Sequence, residues 1–200
     1  MSVKNILITG NGGHAVSCRE VIDSIEDLNF SGYVTKNNSE IEIDIIGSDQ
    51  DLETLFKKTQ LACVGIGQLR TNDHRLNSFN RLKQVGFTLP AITASTAYVA
   101  NSAQLCEGAI IMHKSFVNAQ TTIGINSIIN TGAIVEHGAT VGNHCHVSTK
   151  AIVNGDANIG KNSFIGSGAI VLQGVNIGEN CIVGAGVTVK KDLDKGSVLK

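Results

Sequence analysis

The sequence has no tryptophan, one proline and only 4% aromatic residues, whereas glycine accounts for 22 of its 200 residues. With so few large aromatic side chains, a folded core must be assembled from small and branched residues in a regular lattice. Ile, Val, Asn and Ala recur throughout the chain. This composition is typical of repeat proteins.

Charge, membrane and disulfide signals are also weak. The formal net charge is −1 and no run of Lys and Arg occurs, which argues against nucleic-acid and membrane-surface partners. The first apolar segment is short and ends at Gly10, so neither a signal peptide nor a membrane span is expected. The five cysteines are odd in number and lack CxxC spacing, which predicts free thiols in a reducing cytoplasm.

A strict period of six runs through the second half of the chain. An aliphatic residue recurs every six positions from Val99 to Val189, and a small or modest side chain follows four residues after each one. Neither an α-helix nor an alternating strand has this period. It is the pattern of the hexapeptide β-helix, in which each hexad forms one flat side of a triangular coil.

A second period of eighteen, three hexads, supports the triangle. It separates four glycines, Gly124, Gly142, Gly160 and Gly178. Two residues after each glycine comes a corner residue that tolerates a positive φ, and these are Asn126, His144, Asn162 and Asn180. The fifteen hexads between Val99 and Val189 predict five coils of a single-stranded left-handed β-helix.

The first ninety residues alternate between strand and helix patterns. Strands are predicted over 3–9, 30–34, 61–66 and 87–92, and helices over 15–26, 49–58 and 70–86. Alternation of this kind indicates a small parallel sheet with helices on its faces. We therefore expect an α/β, Rossmann-like domain over 1–92, followed by the all-β domain over 93–200.

Between the first strand and helix, Gly10–Ala15 reads GNGGHA and satisfies G-x-G-x-x-A. Backbone N–H groups in such a turn can hold a phosphate. A NAD site would require an acidic residue at the end of the second strand, where Thr35 and Lys36 stand instead. The motif therefore indicates either a phosphate or sugar cradle or a purely structural turn.

Four of the six histidines fall within the β-helix, namely His113, His137, His144 and His146. The repeat alone gives none of them a function, and His144 takes a corner position that other coils fill with Asn. Some hexapeptide-repeat proteins bind zinc through three histidines at a trimer interface. Because these four do not share one column at multiples of eighteen, we predict no metal site.

The segment 129–156 contains INTGAIVEHG and HVSTKAIVNGD and is followed by NIGKNSFIGSGAIV. It resembles the sialic acid O-acetyltransferase family. It is also similar to the related N-acetyltransferases that modify UDP-linked 4-amino-sugars, as in bacillosamine synthesis. The GNGGHA turn belongs to the same family, so the resemblance covers nearly the whole chain. It implies a bacterial surface-glycan acetyltransferase that uses acetyl-CoA as co-substrate and works as a homotrimer, with CoA in the groove between neighbouring prisms.

The resemblance also implies roles for individual residues. His137 matches the general base, which takes a proton from the acceptor as that group attacks the thioester. The backbone N–H of Gly155 matches the oxyanion donor. Glu136 is not a family match, but as the other neighbour of His137 it is a candidate substitute for the family's acid. The family positions that contact acetyl-CoA are matched by His146, Gly155, Ser167 and Ala185. The family positions that hold the acceptor sugar are matched by Gly12, Gly13, His14 and Asn130.

The chain also departs from the nucleotide-sugar enzymes. Gly138 stands where they have an acidic residue that raises the basicity of the histidine. The nucleotide-sugar enzymes hold the uridine with acidic residues, and Thr35 and Lys36 stand at the corresponding positions of this chain. The family usually continues into a Gly-x-Pro-Ala-Lys tail, and a truncation after Lys200 is one explanation. These departures favour O-acetylation of sialic acid or a related sugar. The alternatives are N-acetylation of a UDP-4-amino-sugar and a catalytically silent β-helix assembly module.

Overall fold

The computed structural model describes residues 3–35, 44–68 and 71–200. Lys36 and the predicted helix start at Arg70 lie outside these ranges. The chain divides into two compact units, one of Met1–Gly67 with Thr71–Pro90 and one of Gln68–Arg70 with Ala91–Lys200. In the described part of the chain, no helix has both the length and the apolar character needed to cross a bilayer.

The first unit is an α/β domain, as predicted. Its elements in chain order are β1 (Lys4–Thr9), α1 (Gly13–Asp23), β2 (Leu28–Val34), β3 (Ile45–Gly47), α2 (Leu52–Phe56), β4 (Leu61–Val64) and α3 (Asp73–Val85). The strands form a parallel sheet in the order β3-β2-β1-β4. The central strand β1 buries Ile6, Leu7 and Ile8 completely because both faces of the sheet are covered.

This unit differs from the sequence prediction in its helix bounds and in its strands. The helices predicted over 15–26 and 49–58 are α1 (Gly13–Asp23) and α2 (Leu52–Phe56). Strand β3 was not anticipated, since its three residues are too few to show a period. No named strand covers 87–89, where only Thr88 bridges to Leu61. Ile92, predicted to close this sheet, instead opens the β-helix by pairing with Ile110. The predicted end of α3 at Gly86 is confirmed, with φ 110° in the left-handed region.

The second unit is a parallel β-helix of about six turns, one more than the sequence period indicated. Its eighteen two-residue strands form three parallel sheets, each named here for its outward residues. The polar face consists of β7 (Gln104–Leu105), β10 (Thr122–Ile123), β13 (Thr140–Val141), β16 (Asn158–Ile159) and β19 (Asn176–Ile177). The Ile152 face consists of β6 (Tyr98–Val99), β9 (Phe116–Val117), β12 (Ile134–Val135), β15 (Ile152–Val153), β18 (Ile170–Val171) and β21 (Thr188–Val189). The His146 face consists of β5 (Ile92–Thr93), β8 (Ile110–Ile111), β11 (Ile128–Ile129), β14 (His146–Val147), β17 (Phe164–Ile165), β20 (Ile182–Val183) and β22 (Val198–Leu199).

Both sequence periods have a structural cause. The aliphatic residue of each hexad is the second residue of a strand and fills the core, as Val135, Val153 and Val171 do. The corner residues at the period of eighteen adopt left-handed φ, between 53° at Asn126 and 62° at Asn162. The four glycines before them are needed for close stacking. A Cβ at Gly160, for example, would meet the backbone carbon of Gly178 at 2.5 Å.

Buried polar groups inside the prism are satisfied by a column of small residues. Ser127 donates a hydrogen bond to the carbonyl of Gly142 at 2.8 Å and accepts one from the N–H of Cys145 at 3.0 Å. Two coils later in the same column, Ser163 repeats this bridge to Gly178 and Cys181. The cysteines in this column are fully buried free thiols, which confirms their prediction as small core fillers.

Candidate active site

His137 lies at the corner between the Ile152 face and the polar face, directly beneath Gly155 of the next coil. A Cβ placed on Gly155 would lie 2.6 Å from Cε1 and 2.8 Å from Nε2 of the imidazole. The ring therefore occupies the volume that a side chain at 155 would need. Gly155 has no left-handed φ, so the approach of His137 is the reason this position suits glycine.

The two residues belong to an open depression of about 540 Å³. Its lining consists of Glu136, His137, Asn154, Gly155, Leu172 and Gln173. Three consecutive coils contribute to it, because positions 136, 154 and 172 stack at the period of eighteen. His137 is an exposed residue there.

The N–H of Gly155, a buried residue, is left without an acceptor in the described part of the chain. Among residues 3–35, 44–68 and 71–200, no group accepts a hydrogen bond from it, whereas its carbonyl accepts one from Gly174 at 2.9 Å. A backbone donor held rigidly beside an imidazole is the combination that acyl transfer uses, since the base and the oxyanion donor must flank the same carbonyl.

Glu136 is held away from the imidazole. Its Oε2 accepts a hydrogen bond of 2.6 Å from Nδ2 of Asn118, which belongs to the preceding coil. His137, by contrast, leans on Gly155 in the following coil. The two adjacent side chains thus extend along the corner in opposite directions.

Asn130 and His146, predicted to contact different ligands, contact each other. Nδ2 of Asn130 lies 3.0 Å from Nε2 of His146, and Nδ1 of His146 lies 3.2 Å from the carbonyl oxygen of Gln68. A carbonyl can only accept, so Nδ1 carries the proton and Nε2 accepts from the amide. The ring is 5% exposed and packs edge-on against Phe164. His146 therefore has a structural role in this chain, and its contact with acetyl-CoA stays a prediction.

Ser167 and Ala185 lie at a different corner, between the His146 face and the Ile152 face. Both are exposed, and Oγ of Ser167 is 3.0 Å from Oγ of Ser148. Within one chain, the Ile152 face separates them from His137. The structure therefore brings Glu136, His137 and Gly155 together and leaves the predicted pantetheine contacts apart from them.

In the first unit, Gly12 and Gly13 are exposed at the start of α1, and a Cβ on either would meet no atom within 4 Å. Neither has a left-handed φ, so local packing does not require glycine at these positions. Burial, together with the positive charge of Arg75, lowers the pKa of His14 to about 4, so the ring is neutral at pH 7. Its Nε2 lies 3.5 Å from Sγ of Cys18.

Several residues of the site were missed by the sequence analysis, namely Asn118, Asn154, Asp156, Leu172 and Gln173. The period of eighteen could have identified them. Asn118, Asn154 and Leu172 lie eighteen or thirty-six residues from Glu136. Gln173 lies thirty-six residues from His137, and Asp156 lies nineteen residues from it. As for metals, the described residues contain no group of three His, Cys, Asp or Glu side chains able to hold an ion.

Two family models match the chain. Residues 5–82 match the PglD N-terminal domain, and residues 157–191 match the hexapeptide repeat of succinyl-transferase. No curated protein sequence matches it.

Solved structures match over almost the full length. GDP-perosamine N-acetyltransferase from Caulobacter crescentus, in complex with CoA and GDP-perosamine and with one histidine replaced by alanine, is 30% identical with a TM-score of 0.91, covering 98% of this chain and 93% of that one. The acetyltransferase domain of PglB from Neisseria gonorrhoeae, in complex with acetyl coenzyme A, is 25% identical with a TM-score of 0.88, covering 98% and 96%. WeeI from Acinetobacter baumannii, 18% identical with a TM-score of 0.83 over 98% and 96%, shares the fold.

Proposed function

Because the chain belongs to the family of hexapeptide-repeat sugar acetyltransferases that includes GDP-perosamine N-acetyltransferase, we propose that it acetylates the amino group of a nucleotide-linked sugar, with acetyl-CoA as the donor. The observation that carries the proposal is 30% identity over 98% of the chain to an enzyme of that activity. It favours N-acetylation over the O-acetylation of sialic acid that the sequence departures suggested. Acetyl-CoA and nucleotide sugars also suit the cytoplasmic location predicted from the thiols.

His137 is the proposed general base. A neutral imidazole takes a proton from the sugar amine as the amine nitrogen attacks the thioester carbonyl carbon. The C–N bond forms, the carbonyl oxygen gains negative charge, and the N–H of Gly155 donates to it. When the tetrahedral intermediate collapses, the C–S bond breaks and the sulfur of CoA leaves with the proton from the imidazolium. The products are an N-acetyl sugar and CoA with a free thiol.

The other predicted ligand contacts remain part of the proposal. Ser167 and Ala185 line the path of pantetheine. Gly12 and Gly13 present the backbone N–H groups at the start of α1 to the acceptor, where a helix N-terminus favours phosphate. His14 contributes as a neutral ring, because protonation is disfavoured at its site.

We further propose that the active unit is a homotrimer packed through the Ile152 face. Its outward residues form an almost continuous apolar column: Tyr98, Phe116, Ile134, Ile152, Ile170 and Thr188. Tyr98 is 54% exposed although its ring stacks on Phe116 at 4.8 Å. A contiguous apolar surface of this kind marks a protein contact. Packing there places the His137 corner of one copy beside the corner that carries Ser167 and Ala185 in the next.

The test is a set of acetyl-transfer assays with thiol release as the readout and mass spectrometry of the product. The acceptors are a GDP-linked and a UDP-linked 4-amino sugar, free sialic acid, and buffer alone. We expect turnover with a nucleotide-linked amino sugar and an amide in the product. Turnover with sialic acid alone would support O-acetylation and overturn the proposed acceptor.

Matched histidine variants provide the control. His137→Asn removes the base, and His144→Asn makes the same change at a corner where other coils already carry Asn. His144 contacts Asn126 at 3.1 Å, much as Asn162 contacts Asn180. We expect His137→Asn to lose at least 100-fold in kcat and His144→Asn to retain it. Failure of the wild-type protein to bind acetyl-CoA in calorimetry would favour the silent assembly module.

A further inference from the structure

A histidine base benefits from a nearby carboxylate, which stabilises the imidazolium formed as the proton is taken. Gly138 follows His137, so the chain cannot supply this group from the adjacent position. Glu136 is the other neighbour, and Asn118 holds its carboxylate toward the preceding coil. The carboxylate must therefore come from elsewhere on the corner.

Asp156 fills the vacancy left by Gly138. Its Oδ1 stands where a Cβ on Gly138 would have to be, and its Cγ lies 3.4 Å from that point. The backbone fixes this placement, because the N–H of Asp156 donates to the carbonyl of His137 at 2.9 Å. Asp156 also follows Gly155 directly, and Gly155 is the residue on which the imidazole rests. The carboxylate therefore lies over position 138, and the imidazole lies under position 155, the residue that precedes Asp156.

Nothing in the described parts of the chain competes for the Asp156 carboxylate, which has no hydrogen-bond or ion-pair partner among residues 3–35, 44–68 and 71–200. Few other charges face this corner. The neighbouring coils place Ala119 with Gln120 and Gln173 with Gly174 there, and the next charged groups, two coils beyond Asp156, are Lys190, Lys191 and Asp192.

We propose that Asp156, one coil away, is the carboxylate partner of His137 and replaces the acid that is missing at position 138. It acts through its charge, without a hydrogen bond to the ring: the carboxylate favours the protonated imidazole and does not touch the substrate. The role rests on the proposed function only insofar as His137 is the base. The placement of Asp156 above Gly138 does not depend on the acceptor.

The first experiment measures the coupling directly, by NMR titration of His137 in the full-length protein with and without Asp156→Asn. Loss of a nearby negative charge destabilises the imidazolium, so the variant should protonate His137 at lower pH than the wild type does at low ionic strength. The shift should shrink at about 1 M salt, because an exposed pair is screened. The control is Asp192→Asn, the same change two coils away, which should leave the titration unchanged.

The second experiment measures catalysis with the acceptor that the wild-type enzyme uses. Asp156→Asn should lower kcat roughly tenfold with little change in KM and move the acidic limb of the kcat profile to lower pH. Glu136→Gln should have the smaller effect on kcat, because its carboxylate is held by Asn118.

A relocated carboxylate gives the most specific test. Gly138→Asp alone brings a Cβ into collision with Asp156, whereas Gly138→Asp with Asp156→Ala frees that space. Position 138 can carry a side chain, since Gln120 and Asp156 adopt the same left-handed φ in this column. We expect the double variant to recover activity lost in Asp156→Ala, and Gly138→Asp alone to gain nothing.

The outcomes separate this inference from the proposed function. An unchanged His137 pKa in Asp156→Asn, with full kcat, overturns the role of Asp156 even if the wild-type enzyme is active. A wild-type protein that fails to turn over any acceptor overturns the proposed function, while the shift of the His137 pKa still decides whether Asp156 is its partner.

Discussion

The imidazole of His137 occupies the volume where a side chain on Gly155 would lie, 2.6 Å from Cε1 to the ideal Cβ. The proposed base and the proposed oxyanion donor are therefore fixed relative to each other by direct contact between consecutive coils. The regular stacking of the β-helix, through the hydrogen bond from Asp156 N–H to the His137 carbonyl, sets this distance.

Gly155→Ala should lower kcat while leaving the fold intact. The added methyl group displaces the ring, and a misplacement of about 1 Å in a catalytic group can cost on the order of 100-fold. Because the atom it meets is the end of an exposed side chain, the thermal unfolding midpoint should change little. Steady-state kinetics and calorimetric unfolding check both expectations.

The control is a double-mutant cycle with His137→Asn. If the role of Gly155 is to leave room for the imidazole, Gly155→Ala should lower kcat much less in the His137→Asn background than in the wild type. An equal loss in both backgrounds would instead point to the N–H of residue 155 as the affected group.

Ser127→Ala should destabilise the β-helix without affecting the site. The hydroxyl is the acceptor for the buried N–H of Cys145, and its removal leaves that donor unpaired. Such a loss costs about 1–3 kcal/mol in the free energy of unfolding. Urea unfolding measures it, and Ser127→Cys is the matched comparison because the same column accepts cysteine at 145 and 181. A stability of Ser127→Ala equal to that of wild type would contradict the bridge.

The stability of the protein should fall between neutral and mildly acidic pH because of His14. Its pKa is about 4 when folded, against about 6.5 when unfolded. The unfolded chain therefore binds the extra proton first, and the stabilising contribution present above pH 6.5 is lost as the pH falls toward 4. Between pH 7 and pH 5 this residue should cost roughly 1–2 kcal/mol.

The measurement compares urea unfolding of wild type and His14→Gln at both pH values. The other histidines contribute to both proteins, so the difference isolates His14. An identical pH dependence in the two proteins would show that His14 titrates normally in the folded state.

A charge on the Ile152 face should dissociate the proposed trimer. Ile152→Lys places an ammonium group in the buried centre of the contact, whereas Asn158→Lys places the same group on the polar face. Light scattering at micromolar concentration should give a monomer for the first variant and a trimer for the second. Activity should be lost only with the trimer, because Ser167 and Ala185 then no longer face a neighbour's His137. A monomeric wild-type protein would overturn the shared site.

Much of the fold follows from sequence periodicity. The aliphatic residues repeat every six positions and the corner residues every eighteen. These periods predicted the β-helix because every coil repeats one geometry. Strand β3 could not be predicted from its three residues, and Ile92 was assigned to the wrong sheet because a single aliphatic residue fits either pattern. The sixth turn was missed because its strands lie outside the uninterrupted series.

The site was less predictable because its contacts join residues eighteen positions apart. Glu136 and His137 are adjacent in sequence, yet they extend toward different coils. His146 matched an acetyl-CoA position by resemblance, and that contact stays a prediction. Its burial against Asn130 and Phe164 could not be read from the sequence. Resemblance identified the residue types, whereas burial and the direction of each side chain depended on the packing of three coils.

The stacking of His137 on Gly155 and Asp156 restricts which changes in chain length the protein can tolerate. A six-residue deletion between them would turn all later residues by one face of the prism, and the imidazole would then rest on a different residue. An extra whole coil of eighteen would preserve the faces but separate the ring from its contacts by one layer. Below Asn118 or above Gln173, whole-coil insertions should leave this corner intact, so related chains can vary in the height of the prism while keeping these consecutive layers together.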